Sequence, residues 1–141
     1  MERTAADIET LLRDRGLALT SQRRAIVRFL ADRGGHWTAA DLLAELTRED
    51  PLASRATVYS TLALLRDLGA LGEVAIPGGD LRYDTNATPH HHFLCRRCGR
   101  LTDLPPTWMP GAVPVDPALP FRVEHVQVLA EGVCRDCEAA D

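Results

Sequence analysis

Lysine is absent from this 141-residue chain, and all 16 of its basic residues are arginine. Aromatic residues make up only 5%, so the interior must be built from Leu, Val, Ile and Ala. No apolar run approaches the ~18–20 residues of a membrane-crossing helix, which excludes that class. The opening Met1-Glu2-Arg3-Thr4 lacks the apolar stretch of a secretory leader, so the expected location is the cytoplasm. A positive balance is also missing. The 20 acidic residues leave a net charge of −4, which weighs against a protein coated in basic surface for nucleic acid. With 45% apolar and 26% charged residues, the composition is that of a soluble globular protein, one ordinary domain or two small ones.

Capping residues and apolar spacing predict four helices in the first half. Residues 4–15 carry Ile8, Leu11 and Leu12 on one face, with Thr4 and Asp7 as a capping pair and Gly16 as the stop. A second helix is expected over 20–32, with Ala25, Ile26, Phe29 and Leu30 apolar, Arg23, Arg24 and Arg28 polar, and Gly34-Gly35 ending it. Thr38 caps a third, with Asp41 at the reciprocal position and Leu42, Leu43 and Leu46 inside. Ser54 starts a fourth, whose buried stripe is Val58, Leu62 and Leu65 and whose natural end is Gly69. The pattern then turns extended. Leu71 to Ile76 and Leu81 to Thr85 flank the turn Pro77-Gly78-Gly79-Asp80, a β-hairpin signal. Helices followed by a hairpin read as a winged helix-turn-helix, with the last helix in the DNA major groove and the hairpin as the wing.

The expected division is 1–83 and 84–141. In the second part, Phe93-Leu94 and 100–104 are short strand candidates, and Phe121 to Leu129 alternates as a strand. Between them, residues 105–120 hold Pro105, Pro106, Pro110, Pro114, Pro117 and Pro120, a spacing no continuous helix passes through. The fold class expected is α+β, a winged helix followed by a small α/β or mostly β unit.

The four cysteines fall as Cys95-x-x-Cys98 and Cys134-x-x-Cys137. Two close pairs without an export signal read as metal ligands rather than disulfides, and four thiolates suit a closed structural zinc site. Two local redox dithiols or unliganded core cysteines are the alternatives. Histidine is also clustered. In a strand, His90 and His92 point to one side and His91 to the other, so His90 and His92 can offer two imidazoles to one metal, or else belong to a solvated loop. Asp84 and Asp103 lie close by in the sequence, and His36, in the loop between the second and third helices, is either an ordinary loop histidine or a fifth member of a mixed nitrogen and oxygen set suited to Fe(II), Mn(II), Co(II) or Zn(II). His91 and His125 are open to either a further site or ordinary exposure. Arg15, Arg23, Arg24, Arg28 and Arg55 offer phosphate contacts, or simply a solvated face.

Taken together, these motifs resemble the ferric uptake regulator family of metal-responsive transcription regulators. The resemblance runs over roughly residues 8–137. It rests on Leu19-Thr20-Ser21-Gln22-Arg23-Arg24, the run from His36 to Leu42, Ala56-Thr57-Val58-Tyr59, Arg82-Tyr83-Asp84, the run from His90 to Arg100, and Gly132-Val133-Cys134-Arg135-Asp136-Cys137. It implies an N-terminal winged helix joined to an α/β dimerisation domain. It implies structural zinc at Cys95, Cys98, Cys134 and Cys137, and a regulatory divalent ion at His36, Asp84, His90, His92 and Asp103. Fe²⁺ or Mn²⁺ is preferred there and Zn²⁺ admitted, because no cysteine is left for that site. It further implies a cytoplasmic homodimer that is not an enzyme, binds double-stranded operator DNA, and has neither a membrane nor a small-molecule substrate as partner. Recognition is expected from Arg23, Arg55, Ala56, Thr57, Tyr59 and Ser60. In the peroxide-sensing branch, Fe(II) promotes oxidation of the histidines matching His36 and His90.

The chain departs from the family pattern at Ala18 and Ser60, where basic or amide side chains are common, and at the 105–120 segment, where a helix is usual. Pro89 and Pro110 occupy positions of the family's extra metal site. A zinc-binding interaction module without operator binding, and a metal-dependent hydrolase, are the alternative classes; the latter lacks an evident spare general base. The charge also divides unevenly. Residues 1–83 hold 11 Arg and 12 acids, against 5 Arg and 8 acids in 84–141. Most of the acidity thus lies in the half not expected to face DNA, and a small arginine-lined contact with salt-sensitive, low non-specific affinity is the expectation.

Overall fold

The computed structural model describes residues 3–108 and 115–140. The chain forms two compact units, Met1–Thr88 and Pro89–Asp141. The first extends slightly past the expected boundary, because Asp84 is part of a sheet and the Thr85 N–H donates to Gly35 O at 3.1 Å.

Four helices build the first unit: α1 (Ala5–Asp14), α2 (Ser21–Arg33), α3 (Ala39–Glu49) and α4 (Arg55–Asp67). Each begins where a hydroxyl caps it. Thr4, Thr20, Thr38 and Ser54 accept from the backbone N–H of Asp7, Arg23, Asp41 and Thr57 respectively, satisfying donors that a helix start leaves unpaired. Thr4 and Asp7 form the full reciprocal box. Gly69 follows α4 at φ +70°, a conformation that costs other residues, and turns the chain toward the sheet.

One core serves this unit. It is made of Ile8, Leu12, Ile26, Val27, Phe29, Leu30, Leu42, Leu46, Val58, Leu62 and Leu65, closed by Ala39, Ala70, Leu71 and Tyr83. Of the apolar residues on α2, Val27 is buried with Ile26, Phe29 and Leu30, and Ala25 is exposed. The larger side chain takes the inward position on α2.

A three-stranded antiparallel sheet completes the unit, in the order β1 (His36–Thr38), β3 (Arg82–Asp84), β2 (Gly72–Val74). The hairpin of β2 and β3 stands where it was expected, with shorter strands. Strand β1 is an addition that no local pattern announced.

The second unit has β4 (His92–Cys95), β5 (Leu101–Asp103), β6 (Leu129–Gly132) and the short helix α5 (Arg135–Ala139). β4 is central, antiparallel to β5 and parallel to β6. The strand expected over 121–129 is shifted. Residues 122–128 are irregular, and the ladder starts at Leu129, where pairing with His92 becomes available. Alternation alone therefore misplaced this strand. The expected proline-rich loop falls partly on 109–114, including Pro110 and Pro114, which lie outside the described residues. The described remainder of that stretch contains a single 3₁₀ turn, Pro106–Trp108, and no α-helix. Among the described residues, no helix is long and apolar enough to cross a membrane.

Candidate metal centres and nucleic-acid interface

The parallel pairing of β4 and β6 assembles the thiol site. Cys95 is the register partner of Gly132, so the single Cys-x-x-Cys turn that follows each strand lies beside the other. The Arg96 N–H donates to Gly132 O at 2.8 Å, joining the two turns. Gly99 at φ +72° lets the first turn fold back, its N–H donating to Cys95 O at 2.9 Å. The four sulfurs lie within 4.8 Å of one another. Cys98 Sγ and Cys134 Sγ are 3.8 Å apart, too far for a disulfide bond, and all four cysteines are free thiols. Cys95 Sγ accepts from the N–H groups of Cys98 and Cys134 at 3.5 and 3.3 Å. These bonds, Cys98 first, pull its thiol down to about 6. The Cys137 thiol is pushed up to about 12, first by its hydrogen bond with Cys134 and then by burial. One sulfur thus readily carries charge while a neighbour resists adding a second, a crowding that a shared cation relieves. Arg100 reaches Asp136 at 3.2 Å and the Arg97 guanidinium donates to Cys137 O at 3.3 Å, tying the two turns from outside.

Within the first unit, His36 and Asp84 are register partners on β1 and β3. Their side chains share a face, with Nε2 3.3 Å from Oδ2. The other carboxylate oxygen of Asp84 accepts from the Asn86 N–H at 2.9 Å, so its orientation is fixed from behind. Gly72 is Asp84's register partner on the other side, and a Cβ there would lie 3.5 Å from the Asp84 Cβ and 3.3 Å from Asn86 O.

Within the second unit, the same device recurs. His92 and Asp103 are register partners on β4 and β5. Asp103 Oδ1 is 3.4 Å from His92 Nε2 and 3.0 Å from His90 Nε2, and the two imidazole rings are 4.3 Å apart. His90 and His92 therefore do converge, as alternation in an extended segment requires. His92 is buried, at 1% exposure, and its Nδ1 lies 3.3 Å from Gln127 Nε2. Asn86 and Gln127 are the supporting residues that sequence reasoning missed, since no spacing rule marks them. His91 takes a different role: its Nδ1 accepts from the Val128 N–H at 3.0 Å. Among the described residues, no cluster of three or more ligating groups includes His91 or His125.

On α4, Ala56, Tyr59 and Ser60 are exposed and Thr57 is half-buried, opposite the core stripe. The Arg55 guanidinium lies over the Tyr59 ring, 4.8 Å from its centre. Ser60 Oγ donates to Thr57 O at 3.2 Å. Gln22 Oε1 accepts from the Ser54 N–H at 3.3 Å, linking the starts of α2 and α4. Arg23 donates to Ala18 O at 2.8 Å, which sets its direction.

The sequence profile of the ferric uptake regulator family matches residues 14–107. The peroxide-responsive repressor PerR of Staphylococcus saprophyticus is 30% identical over 142 aligned residues, covering 98% of this chain and 94% of that protein. The ferric uptake regulator Fur of Helicobacter pylori superposes with a TM-score of 0.73 at 18% identity, covering 96% of this chain and 95% of the other. A zinc uptake regulator solved with zinc and DNA gives 0.63 at 22% identity, covering 96% and 93%. The α+β fold is theirs, and the chain belongs to the ferric uptake regulator family of metal-responsive transcription regulators, which are not enzymes.

Proposed function

We propose that the protein is a homodimeric transcriptional repressor whose hold on operator DNA depends on a divalent ion taken by His36, Asp84, His90, His92 and Asp103. The observation that carries this reading is the repeated strand register. It sets His36 against Asp84 in one unit and His92 against Asp103 in the other, with His90 on the same carboxylate oxygen. Each group alone offers too few ligands for a mixed nitrogen and oxygen site; together they make five, a set suited to Fe²⁺ or Mn²⁺ and admitting Zn²⁺. A bound cation would supply the positive charge that draws the carboxylates and imidazoles onto one centre. The residues themselves would then fix the angle between the two units. In a dimer, that angle sets the spacing of two α4 helices against a palindrome. A ligand favouring the DNA-competent shape strengthens DNA binding, and DNA in turn strengthens its hold.

Zinc fits the thiol site. A tetrahedral ion with Zn–S near ~2.3 Å requires sulfurs about 3.8 Å apart, and Cys98 and Cys134 stand at 3.8 Å. Among the described residues of 89–141, only His92, Leu94, Cys95 and Leu101 are buried. So small an interior argues that the ion's role is folding. The first unit fits a winged helix, with α4 presenting Arg55, Ala56, Thr57, Tyr59 and Ser60 to bases, Arg23 to phosphate, and the β2–β3 hairpin as wing. Leu119, Phe121 and Val123 are exposed apolar side chains at alternate positions of the second unit, which supports a seam between two copies.

A peroxide-sensing role is favoured by the likeness to peroxide-responsive repressors. On that reading His36 and His90 are oxidised when Fe(II) and peroxide meet. Mass analysis of their peptides tests it, and no mass gain would refute the peroxide role. A mobility-shift assay with and without Mn(II), Fe(II) or Zn(II) tests the repressor reading. Absent or metal-indifferent, sequence-blind binding would favour an interaction module instead.

A further inference from the structure

Just before β6, Gln127 lies against His92. Gln127 precedes Val128, whose carbonyl accepts from the His92 N–H at 3.0 Å, and Leu129, the register partner of His92. The start of the β4–β6 ladder therefore places the glutamine amide beside the His92 ring, with Nε2 3.3 Å from Nδ1. The opposite ring nitrogen, Nε2, faces Asp103 Oδ1 at 3.4 Å. We propose that the Gln127 amide is a turnable partner that matches both tautomers of His92 and thereby positions it for a divalent ion. This rests on the reading of His92 as a ligand.

The chemistry follows from counting protons. A neutral imidazole has one N–H. When that proton sits on Nε2, facing the carboxylate, the unprotonated Nδ1 can accept from the amide N–H₂ of Gln127. A ligand must offer its lone pair, so Nε2 has to lose that proton while Nδ1 gains one. One proton leaves to water, one arrives from water, and the net charge of the ring is unchanged. Nδ1–H then needs an acceptor, and a half-turn of the amide supplies Oε1. Glutamine serves both states. A carboxylate would serve only the ligating one, and an apolar side chain neither. The hydrogen bond on the outer nitrogen of a ligating histidine fixes tautomer and ring direction and raises ligand strength.

The test uses the full chain with the thiol-site zinc retained and other metal removed. ¹⁵N NMR of the side chain reads the His92 tautomer in the parent, in Gln127→Leu and in Gln127→Glu, and Mn(II) titration reads affinity. Gln127 is exposed, so both variants should fold. The parent should hold the Nε2–H form when metal-free, and Gln127→Glu should shift it toward Nδ1–H. Gln127→Leu should bind Mn(II) about tenfold more weakly, the lower end for lost outer partners, and Gln127→Glu should recover the loss. The same tautomer in all three proteins, with unchanged Mn(II) affinity, would overturn the role of Gln127. A parent that takes up no Mn(II) would instead overturn the reading of His92 as a ligand, on which the proposal stands.

Discussion

His36 and Asp84 face each other across neighbouring strands, Nε2 to Oδ2 3.3 Å, although 48 positions separate them in the chain. β3 is the middle strand of its sheet, so the Asp84 backbone is held from both sides. Its carboxylate is further fixed by the Asn86 N–H. The result is an imidazole–carboxylate pair whose carboxylate is oriented by the sheet and by the Asn86 N–H.

Replacing Asp84 with Asn keeps an oxygen for the Asn86 N–H and removes the charge. The expected outcome is a folded protein whose Mn(II) affinity falls by roughly tenfold or more, since even outer partners of a metal site are worth that much. Isothermal titration beside a thermal melt separates the two effects. Affinity equal to the parent would remove Asp84 from the ligand set.

Loss of the thiol site should be felt locally. Every residue of the main core lies at or before Tyr83. Cys134→Ser should therefore unfold 89–141 while the four helices persist. Hydrogen exchange would show lost protection in β4, β5 and β6 with α2 and α4 still protected. Uniform loss across both units would show that they fold as one.

The buried and exposed faces of helix α4 let stability and the proposed recognition be tested separately. Leu62 is fully buried, and Leu62→Ala should cost about 3 kcal/mol in denaturant unfolding. Tyr59 is exposed and stacked under Arg55, and Tyr59→Ala should leave stability unchanged while weakening operator binding by about tenfold, the scale of a lost base contact. Equal operator affinity would place recognition elsewhere.

Thr61 is fully buried, and its Oγ1 has no hydrogen-bond partner among the described residues. An orphaned hydroxyl carries a desolvation cost that a methyl of the same shape does not. Thr61→Val should be neutral or stabilising by up to about 1 kcal/mol in the same unfolding assay. A clear loss of stability would reveal a partner for the hydroxyl.

The Asp7 carboxyl lies below the ordinary carboxylate range because the Thr4 hydroxyl, and then the Thr4 N–H, hydrogen-bond to it. A depressed folded value means that its contribution is complete above the unfolded value of about 3.9 and is lost as pH falls through the folded one. NMR titration should find the Asp7 midpoint low, and Thr4→Val should return it toward the ordinary value. An unmoved midpoint would dismiss the box.

Helix starts were legible because capping is chemistry among four consecutive residues: Thr4 and Thr38 cap as expected, and Thr20 and Ser54, read as the first residues of their helices, cap them too. The cysteine pairs were legible because spacing alone aims two sulfurs together. Strand β1 was not: its three residues are held by β3, far along the chain, and nothing local prefers that pairing. Spacing left His36 open between a ligand and a loop histidine, and the resemblance raised it. The strand expected from alternation over 121–129 begins instead at Leu129, because a ladder needs a partner as well as a pattern. Gln127 and Asn86 act through positions that pairing creates, so the sequence holds no mark of them.

The proposed function requires one divalent ion to couple ligands of both units to operator binding. The direct measurement is operator affinity as a function of Mn(II) or Fe(II) concentration in the parent, His36→Ala and His90→Ala. Metal should tighten parent binding, and either variant, altered in a different unit, should lose the response while remaining folded. Operator binding indifferent to metal, or a full metal response in both variants, would contradict the proposed function.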